Sequence, residues 1–592
     1  MKPCSCAQNG AQLADNNNAM TMRDVTFCID RGGTFTDVYC EYSESGTKMK
    51  MAIKLLSEDP KNYQSAPREG IRRALEIITK ESIPREVKTP TARIKSVRMG
   101  TTVGTNALLE RKGAKVVVVV TRGFKDLLTV GNQSRPEIFK LDARRPASLA
   151  ERGIEAEERV RPVRCSTMSG DGEFYYKKGN EVVDMAKVKT NEEIEIVEKL
   201  NVESLRQSLL EAKKDGFTSV AVVLMHSYAY PEHEIMIGEL AEELGFEQIS
   251  LSSALTPMAR AVPRGHTAAV DAYLTPKIKE YVKTFVEGFD DGLMRDVPVL
   301  FMQSDGGMTS ADRFCGYKAI LSGPAGGVVG YARTATEESS SSNPNEEDDE
   351  KIESVIGFDM GGTSTDVSRY DPKQGYEHVT ETVTAGVVVQ CPQLDISTVA
   401  AGGGSKLKFF AGGFQVGPES VGSEPGPACY RKGGELAVTD ANVVLGRVLP
   451  EYFPKIFGPD ENEPLDRAAS VAKFEQLRDE INAWFREREI ENSNSNSSSS
   501  HIDLSTEEVA LGFLRVANEA MCRPIREITE SKGFETSKHI LSAFGGAGPQ
   551  HACAVAKALG IRSVKVHKYS GILSAFGMGL ADVVREKQTA CF

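Results

Sequence analysis

Nowhere along the 592 residues do 18 apolar side chains follow one another, so no membrane-spanning helix is expected. The first 24 residues lack the apolar centre of a secretion signal and carry few arginines for a transit peptide. They are polar and Asn-rich, and are expected to form a disordered leader. The eleven cysteines are scattered and odd in number, and the Cys4–Cys6 pair has no second pair nearby. That spacing argues against a zinc site and, without a secretion signal, fits a reducing compartment, with the cytosol as the default. Positive charge is also in short supply: 71 Lys and Arg against 83 Asp and Glu leave a formal net charge of −12. A nucleic acid or an acidic membrane is therefore not an expected partner, whereas a small anion held by backbone N–H groups is still allowed.

What the chain does have is the make-up of a folded protein, 40% hydrophobic and 26% charged, and a length that calls for two to four domains. The continuous β-branched run Lys115 to Thr121 and the run Ser219 to Leu224 read as buried strands. Val202 to Lys214 and Pro67 to Lys80 read as helices, the second with Ile71, Ala74, Leu75 and Ile78 on one face. Strands alternating with helices predict an α/β fold. Two low-complexity stretches, 334–351 and 491–500, are expected to be flexible surface insertions, because they hold too few apolar residues to offset the entropy of ordering.

One nonapeptide occurs twice. Residues 30–38 read DRGGTFTDV and residues 359–367 read DMGGTSTDV, seven identities in nine positions, each after a short apolar segment. Duplicated lobes are the simplest account. Each copy reads as strand, tight glycine turn, strand. The Gly-Gly pair is expected to supply positive φ angles and to let a ligand approach the backbone, whose N–H groups would form an anion-binding concavity. Thr34 and Thr363 would add hydroxyl donors. Asp30 and Asp359, at the strand ends, would face phosphate through a cation, most naturally Mg²⁺. A pair of ordinary hairpins is the alternative, and it becomes harder to hold for two copies in register.

A third glycine turn, ILSAFGGAGP at 540–549, lies between a strand-like stretch and a helical one. Gly545, Gly546 and Gly548 would allow close approach of an adenosine group. Together the three turns resemble the actin, sugar-kinase and heat-shock-protein ATPase superfamily, which implies two related actin-like lobes with duplicated phosphate hairpins, plus inserted segments, clamping ATP.

Further motifs resemble one branch of that superfamily: MGTTVGTNALLERKG (99–113), QSDGG (303–307), SGPAGG (322–327), VAAGGGS (399–405), GSEPGPACYRKGG (422–434) and FGGAGPQHA (544–552). With the repeat they are similar to the hydantoinase A/5-oxoprolinase family from about Val25 to Glu586, as an N-terminal lobe over 25–230 and an A-type ATPase region over 231–592. The resemblance implies ATP-driven hydrolysis of 5-oxo-L-proline to L-glutamate, with an ATP-dependent hydantoinase, a ketone carboxylase subunit or a truncated non-catalytic member as alternatives. It implies that Gly32, Gly33, Thr34, Gly361, Gly362 and Thr363 bind the β- and γ-phosphates, that Asp30 and Asp359 bind Mg²⁺, and that Gly545, Gly546 and Gly548 contact adenosine. Asp366 and Asp37 are candidate catalytic or metal-orienting carboxylates, or else caps on the returning strands. Arg135 is the candidate for the substrate carboxylate, with a structural salt bridge as the alternative. Thr102 and Asn106 would line the same cleft or pack around a helix start. His226, His551 and Cys429 are left to structural roles. Family members continue into a B-type half, so a B-type domain or subunit is an expected partner, as is a second copy in a homodimer. The chain is expected to be the ATP-handling half of such an enzyme.

Overall fold

The computed structural model describes residues 23–131, 147–162, 188–190, 194–337, 354–458, 460–492 and 503–589. The fold is mixed α/β. Its first sheet opens with β1 (Val25–Arg31), β2 (Phe35–Glu44) and β3 (Thr47–Leu56), an antiparallel meander. β4 (Ile94–Thr101) adds parallel to β1, and the strands Val299–Met302 and Met308–Ser310 complete that side. This sheet therefore spans the division expected at residue 230.

The second sheet repeats the arrangement. The strand Val355–Met360 lies antiparallel to Thr365–Asp371, which is extended by Gly375–Tyr376 and Ile396–Val399. On its other side come the parallel strands Ile540–Phe544 and Ser563–Lys565. A third sheet, all parallel, holds the strand Val116–Thr121 between Ala150–Ala156 and Ser219–Val223. All six side chains of Val116–Thr121 are buried, as a strand covered on both faces requires.

Two helices fill the space between the first two sheets, Ser322–Glu337 and Leu573–Leu580, packed with Cys28 and Tyr39 of the first sheet and Val355 and Phe544 of the second. Their contact depends on glycine. A methyl group on Gly330 would come within 2.8 Å of the Leu573 carbonyl, and one on Gly326 within 2.8 Å of the Ser574 carbonyl. The SGPAGG motif thus sets the spacing of a helix pair. That helix also runs to Glu337, so the low-complexity stretch is helical over 334–337, where a flexible insertion was expected. The helix Arg467–Asn492 likewise covers 491–492. The remainder of both stretches, and residues 1–22 of the leader, lie outside the described residues. Arg23 and Asp24 are ordered; Asp24 pairs with Arg93 at 2.5 Å.

Helix α1 (Ala66–Thr79) buries Ile71, Ala74 and Leu75 against the first sheet. Its buried Glu69 takes guanidinium hydrogen bonds from Arg72 (2.7 and 2.8 Å), Arg73 (2.8 Å) and Arg85 (2.9 Å). Burial alone would raise its pKa, but the hydrogen bonds from Arg72, Arg85 and Arg73 outweigh that and hold the carboxyl at about 2. Arg73 and Arg85 reach on to Glu461, at 3.0 and 2.9 Å, and so tie α1 to the later half of the chain. Replacing Glu69 with alanine would leave three guanidinium groups around an empty site. Stability should fall by about 3–5 kcal/mol in urea denaturation, the cost of leaving buried charge unpaired.

Candidate active site

Both copies of the repeat form hairpins with matching registers. Asp30 stands opposite Asp37 across β1 and β2, and Asp359 stands opposite Asp366 in the second hairpin. Each turn closes the same way, Gly32 N–H to the Phe35 carbonyl and Gly361 N–H to the Ser364 carbonyl, both 3.0 Å. None of the four turn glycines takes a positive φ, contrary to the sequence expectation. Four residues separate the last cross-strand pair in each turn, so a left-handed step is not needed.

The glycines serve another purpose, because the two hairpins meet tip to tip. A methyl group at Gly362 would collide with Thr34, within 2.7 Å of its Cβ, and one at Gly33 would lie 3.4 Å from Thr363 Oγ1. Each hairpin's glycine makes room for the other's threonine. Behind the second tip runs the AGGGS segment, with Gly403 N–H donating to the Gly361 carbonyl (3.0 Å) and Gly404 N–H to that of Gly362 (2.6 Å). A methyl group on Gly402 would come within 2.7 Å of the Gly362 and Thr363 backbone. The third turn does need a left-handed residue: Gly545 has φ +80° and lies against the Met360 carbonyl.

A cleft of about 590 Å³ opens where the three turns converge. Asp30, Gly32, Gly33, Thr34, Asp37, Thr102, Asp359, Gly361, Gly362, Thr363, Asp366, Gly545 and Gly546 all line it. Gly548 and Asn106 do not. Gly548 starts the helix Gly548–Leu559 and packs it onto the strand Val355–Met360, 3.3 Å from the Phe358 carbonyl to an added methyl. Asn106 lies inside helix α2 (Val103–Leu109), where its N–H bonds the Thr102 carbonyl. Arg135 lies outside the described residues. The cleft also takes in residues that the sequence reading left unassigned, among them Lys54, Gly403, Tyr430, Thr439, Gln550 and Ser574.

Four carboxylates face this space, and each is pushed upward. Burial raises Asp30 well above the usual carboxylate range, with Asp37, Asp359 and Asp366 adding repulsion against the pull of Lys54. Burial raises Asp37 too, opposed by its ion pair with Lys54. Burial and Asp366 bring Asp359 to about 7, although Ser574 donates to it at 3.3 Å. Burial brings Asp366 to about 6 despite hydrogen bonds from Thr398 and Ser364. Two buried atoms at the centre, Asp30 Oδ1 and Thr34 Oγ1, have no hydrogen-bond partner. Such groups are costly to leave unmade, and a cation and a phosphate oxygen would satisfy them. Among the described residues no three acidic, His or Cys side chains converge as a complete metal cage.

Two of the residues left to structural roles, His551 and Cys429, are buried and hydrogen-bonded. His551 is buried behind the third turn, Nδ1–H donating to Asn518 Oδ1 (2.7 Å) and Nε2 accepting from Asn442 Nδ2 (3.0 Å), a neutral ring with both nitrogens matched. Burial, then Arg447, hold its pKa at about 4. The unfolded chain takes up this proton near 6.5 and the folded chain only near 4, so stability is lost as pH falls across that window. His551→Gln should remove about 3 kcal/mol of the pH dependence between 6.5 and 4, read from urea midpoints beside the wild type. Cys429 is buried, its backbone N–H held by Asp440 (2.9 Å), and burial pushes its thiol up, the opposite of an activated nucleophile.

The sequence matches two family models, hydantoinase/oxoprolinase over residues 264–587 and its N-terminal region over 26–245. It is 56% identical to 5-oxoprolinase 1 of Arabidopsis thaliana over 95% of this chain and 42% of that protein. To the 5-oxoprolinase of Dictyostelium discoideum it is 52% identical, over 96% of this chain and 43% of the other. The chain thus spans less than half the length of these relatives. Its fold is similar to that of nucleotide-free acetone carboxylase, with a TM-score of 0.68 at 21% identity, over 95% of this chain and 71% of that one. No helix among the described residues is long and apolar enough to cross a membrane. By its motifs, its matched models and these relatives, the chain belongs to the hydantoinase/oxoprolinase family.

Proposed function

We propose that this chain binds Mg·ATP between its two hairpins and carries out the phosphoryl-transfer half of an ATP-dependent 5-oxoproline hydrolysis. The observation that carries the reading is the pair of facing Gly-Thr tips, flanked by Asp30 and Asp359, with buried orphan atoms at their centre. The relatives named 5-oxoprolinase supply the substrate class. The like strand order around the two hairpins supports lobes related by duplication.

In this reading Gly33, Thr34, Gly362 and Thr363 hold the phosphates, Asp30 and Asp359 hold Mg²⁺, and Gly545 and Gly546 receive the adenosine. When bound, ATP supplies the phosphoryl group that turns an unreactive amide oxygen into a leaving group. The chain's own task is positioning and charge stabilisation. Among the described residues Asp366 has no ammonium partner, and with a pKa of about 6 it suits a proton acceptor for water or amide near neutral pH. A B-type domain or subunit would complete ring opening.

The test compares ADP release with 5-oxoproline, a hydantoin and acetone, each with and without a B-type partner. Release stimulated by 5-oxoproline, with glutamate formed only when the partner is present, is the expected result. Stimulation by hydantoin or acetone instead would reassign the substrate, and glutamate formed by the chain alone would end the half-enzyme reading.

A further inference from the structure

The two hairpins match until the third residue of a cross-strand row. In the first sheet Asp30 stands opposite Asp37, and Asp37 opposite Lys54. In the second Asp359 stands opposite Asp366, and Asp366 opposite Thr398. Directly opposed residues share a sheet face, so each row turns its side chains the same way. One row ends in a cation and the other in a hydroxyl.

Lys54 is tightly placed. Its Nζ pairs with Asp37 Oδ1, the two side chains being 15% and 16% exposed, and stands 4.9 Å from the centre of the Phe35 ring. Thr398 Oγ1 instead donates to Asp366 at 2.5 Å. Among the described residues lining the cleft, Lys54 and Lys568 are the cationic ones; Lys568 has its ammonium 5.3 Å from the centre of the Tyr569 ring, whereas Lys54 is the one paired with a carboxylate of the rows. An ammonium has three donors, so pairing with one carboxylate oxygen and an aromatic face leaves capacity for another anion.

We propose that Lys54 contacts the terminal phosphoryl group, so that the first lobe is the side of the cleft toward which that group is transferred. The proposal rests on the nucleotide reading above. With adenosine at the Gly545–Gly546 turn of the second sheet, the phosphate chain runs past the second hairpin, and its far end reaches the first. Lys54 forms no covalent bond. It donates hydrogen bonds to the phosphoryl oxygens while the bond from the terminal phosphorus to the bridging oxygen breaks, the electron pair leaves on ADP, and the bond to the amide oxygen forms.

The experiment measures calorimetric affinity for Mg·ADP and for the Mg complex of the non-hydrolysable β,γ-imido analogue of ATP. The proteins are wild type, Lys54→Met, Lys54→Arg and the double variant Asp37→Asn/Lys54→Met, which removes the carboxylate left unpaired. Lys54→Met should lose about 10- to 100-fold more affinity for the analogue than for Mg·ADP, the worth of one charge-assisted hydrogen bond, and the double variant should show the same difference between the two nucleotides whatever Asp37→Asn does to both. Lys54→Arg should show little of that difference. Equal losses for both nucleotides in the double variant, or no loss for either, would overturn the role of Lys54 while leaving the nucleotide site intact. A wild-type protein that binds neither nucleotide would refute the site itself, and Lys54 with it.

Discussion

Asp30→Asn and Asp359→Asn are each expected to lower Mg²⁺-dependent ATP turnover by about 10³-fold, the scale seen when one preorganised charge contact to a reacting group is removed. Asparagine keeps the shape and one oxygen but removes the charge that a divalent cation needs. The fold should not suffer. Asp30 is crowded by Asp37, Asp359 and Asp366, and burial already opposes its charge, so neutralising it relieves repulsion. The unfolding midpoint of Asp30→Asn should equal or exceed that of the wild type. Loss of turnover with stability preserved is the signature of a site residue. Loss of both would make Asp30 a structural carboxylate.

Gly362→Ala is the second large effect. The added methyl would enter the space of the Thr34 side chain, within 2.7 Å of its Cβ, so one hairpin tip has to move. Overpacking of this kind costs about 1–3 kcal/mol of stability. Displaced tips should also weaken Mg·ADP binding by about 100-fold, since both tips contribute to one site. The neighbouring Gly361→Ala is the control. Its methyl would meet the Ser364 carbonyl at 3.7 Å, an ordinary contact, and stability should change by less than about 0.5 kcal/mol. Removing the obstructing side chain with Thr34→Gly should recover stability in the Gly362→Ala background, although Thr34 itself is lost from the site. If the two alanine variants are equally stable, the tip-to-tip contact is not what these glycines are for.

The parts of this site that were legible in the sequence are those where backbone chemistry restricts the residue. The doubled DxGGTxTDV could be read because few residues tolerate a tight turn at close quarters. The strand at 116–121 and helix α1 could be read because periodicity reports burial directly. The reason for the glycines was read wrongly: positive φ is a local property, whereas the collision between Gly362 and Thr34 joins residues more than 300 positions apart. Gly548 belongs to the same glycine turn as Gly545, yet it packs a helix onto a strand, and composition cannot separate the two roles. Lys54 was missed because alternating lysines on β3 look like a solvated strand face. Only the register with Asp37 shows that this one is inside the cleft. The flexible reading of 334–337 failed because helix Ser322–Glu337, anchored by its glycine contacts, carries the chain beyond the point where the composition turns polar.

The account's central claim is that one nucleotide is held by both hairpins together. Calorimetric titration of Mg·ADP into the wild type, Gly362→Ala, and a double variant carrying Asp30→Asn and Asp359→Asn tests it most directly. The predicted result is a single site per chain in the wild type, weakened about 100-fold by Gly362→Ala and stripped of its Mg²⁺ dependence in the double variant. Binding of unchanged affinity and Mg²⁺ dependence in both variants would contradict it.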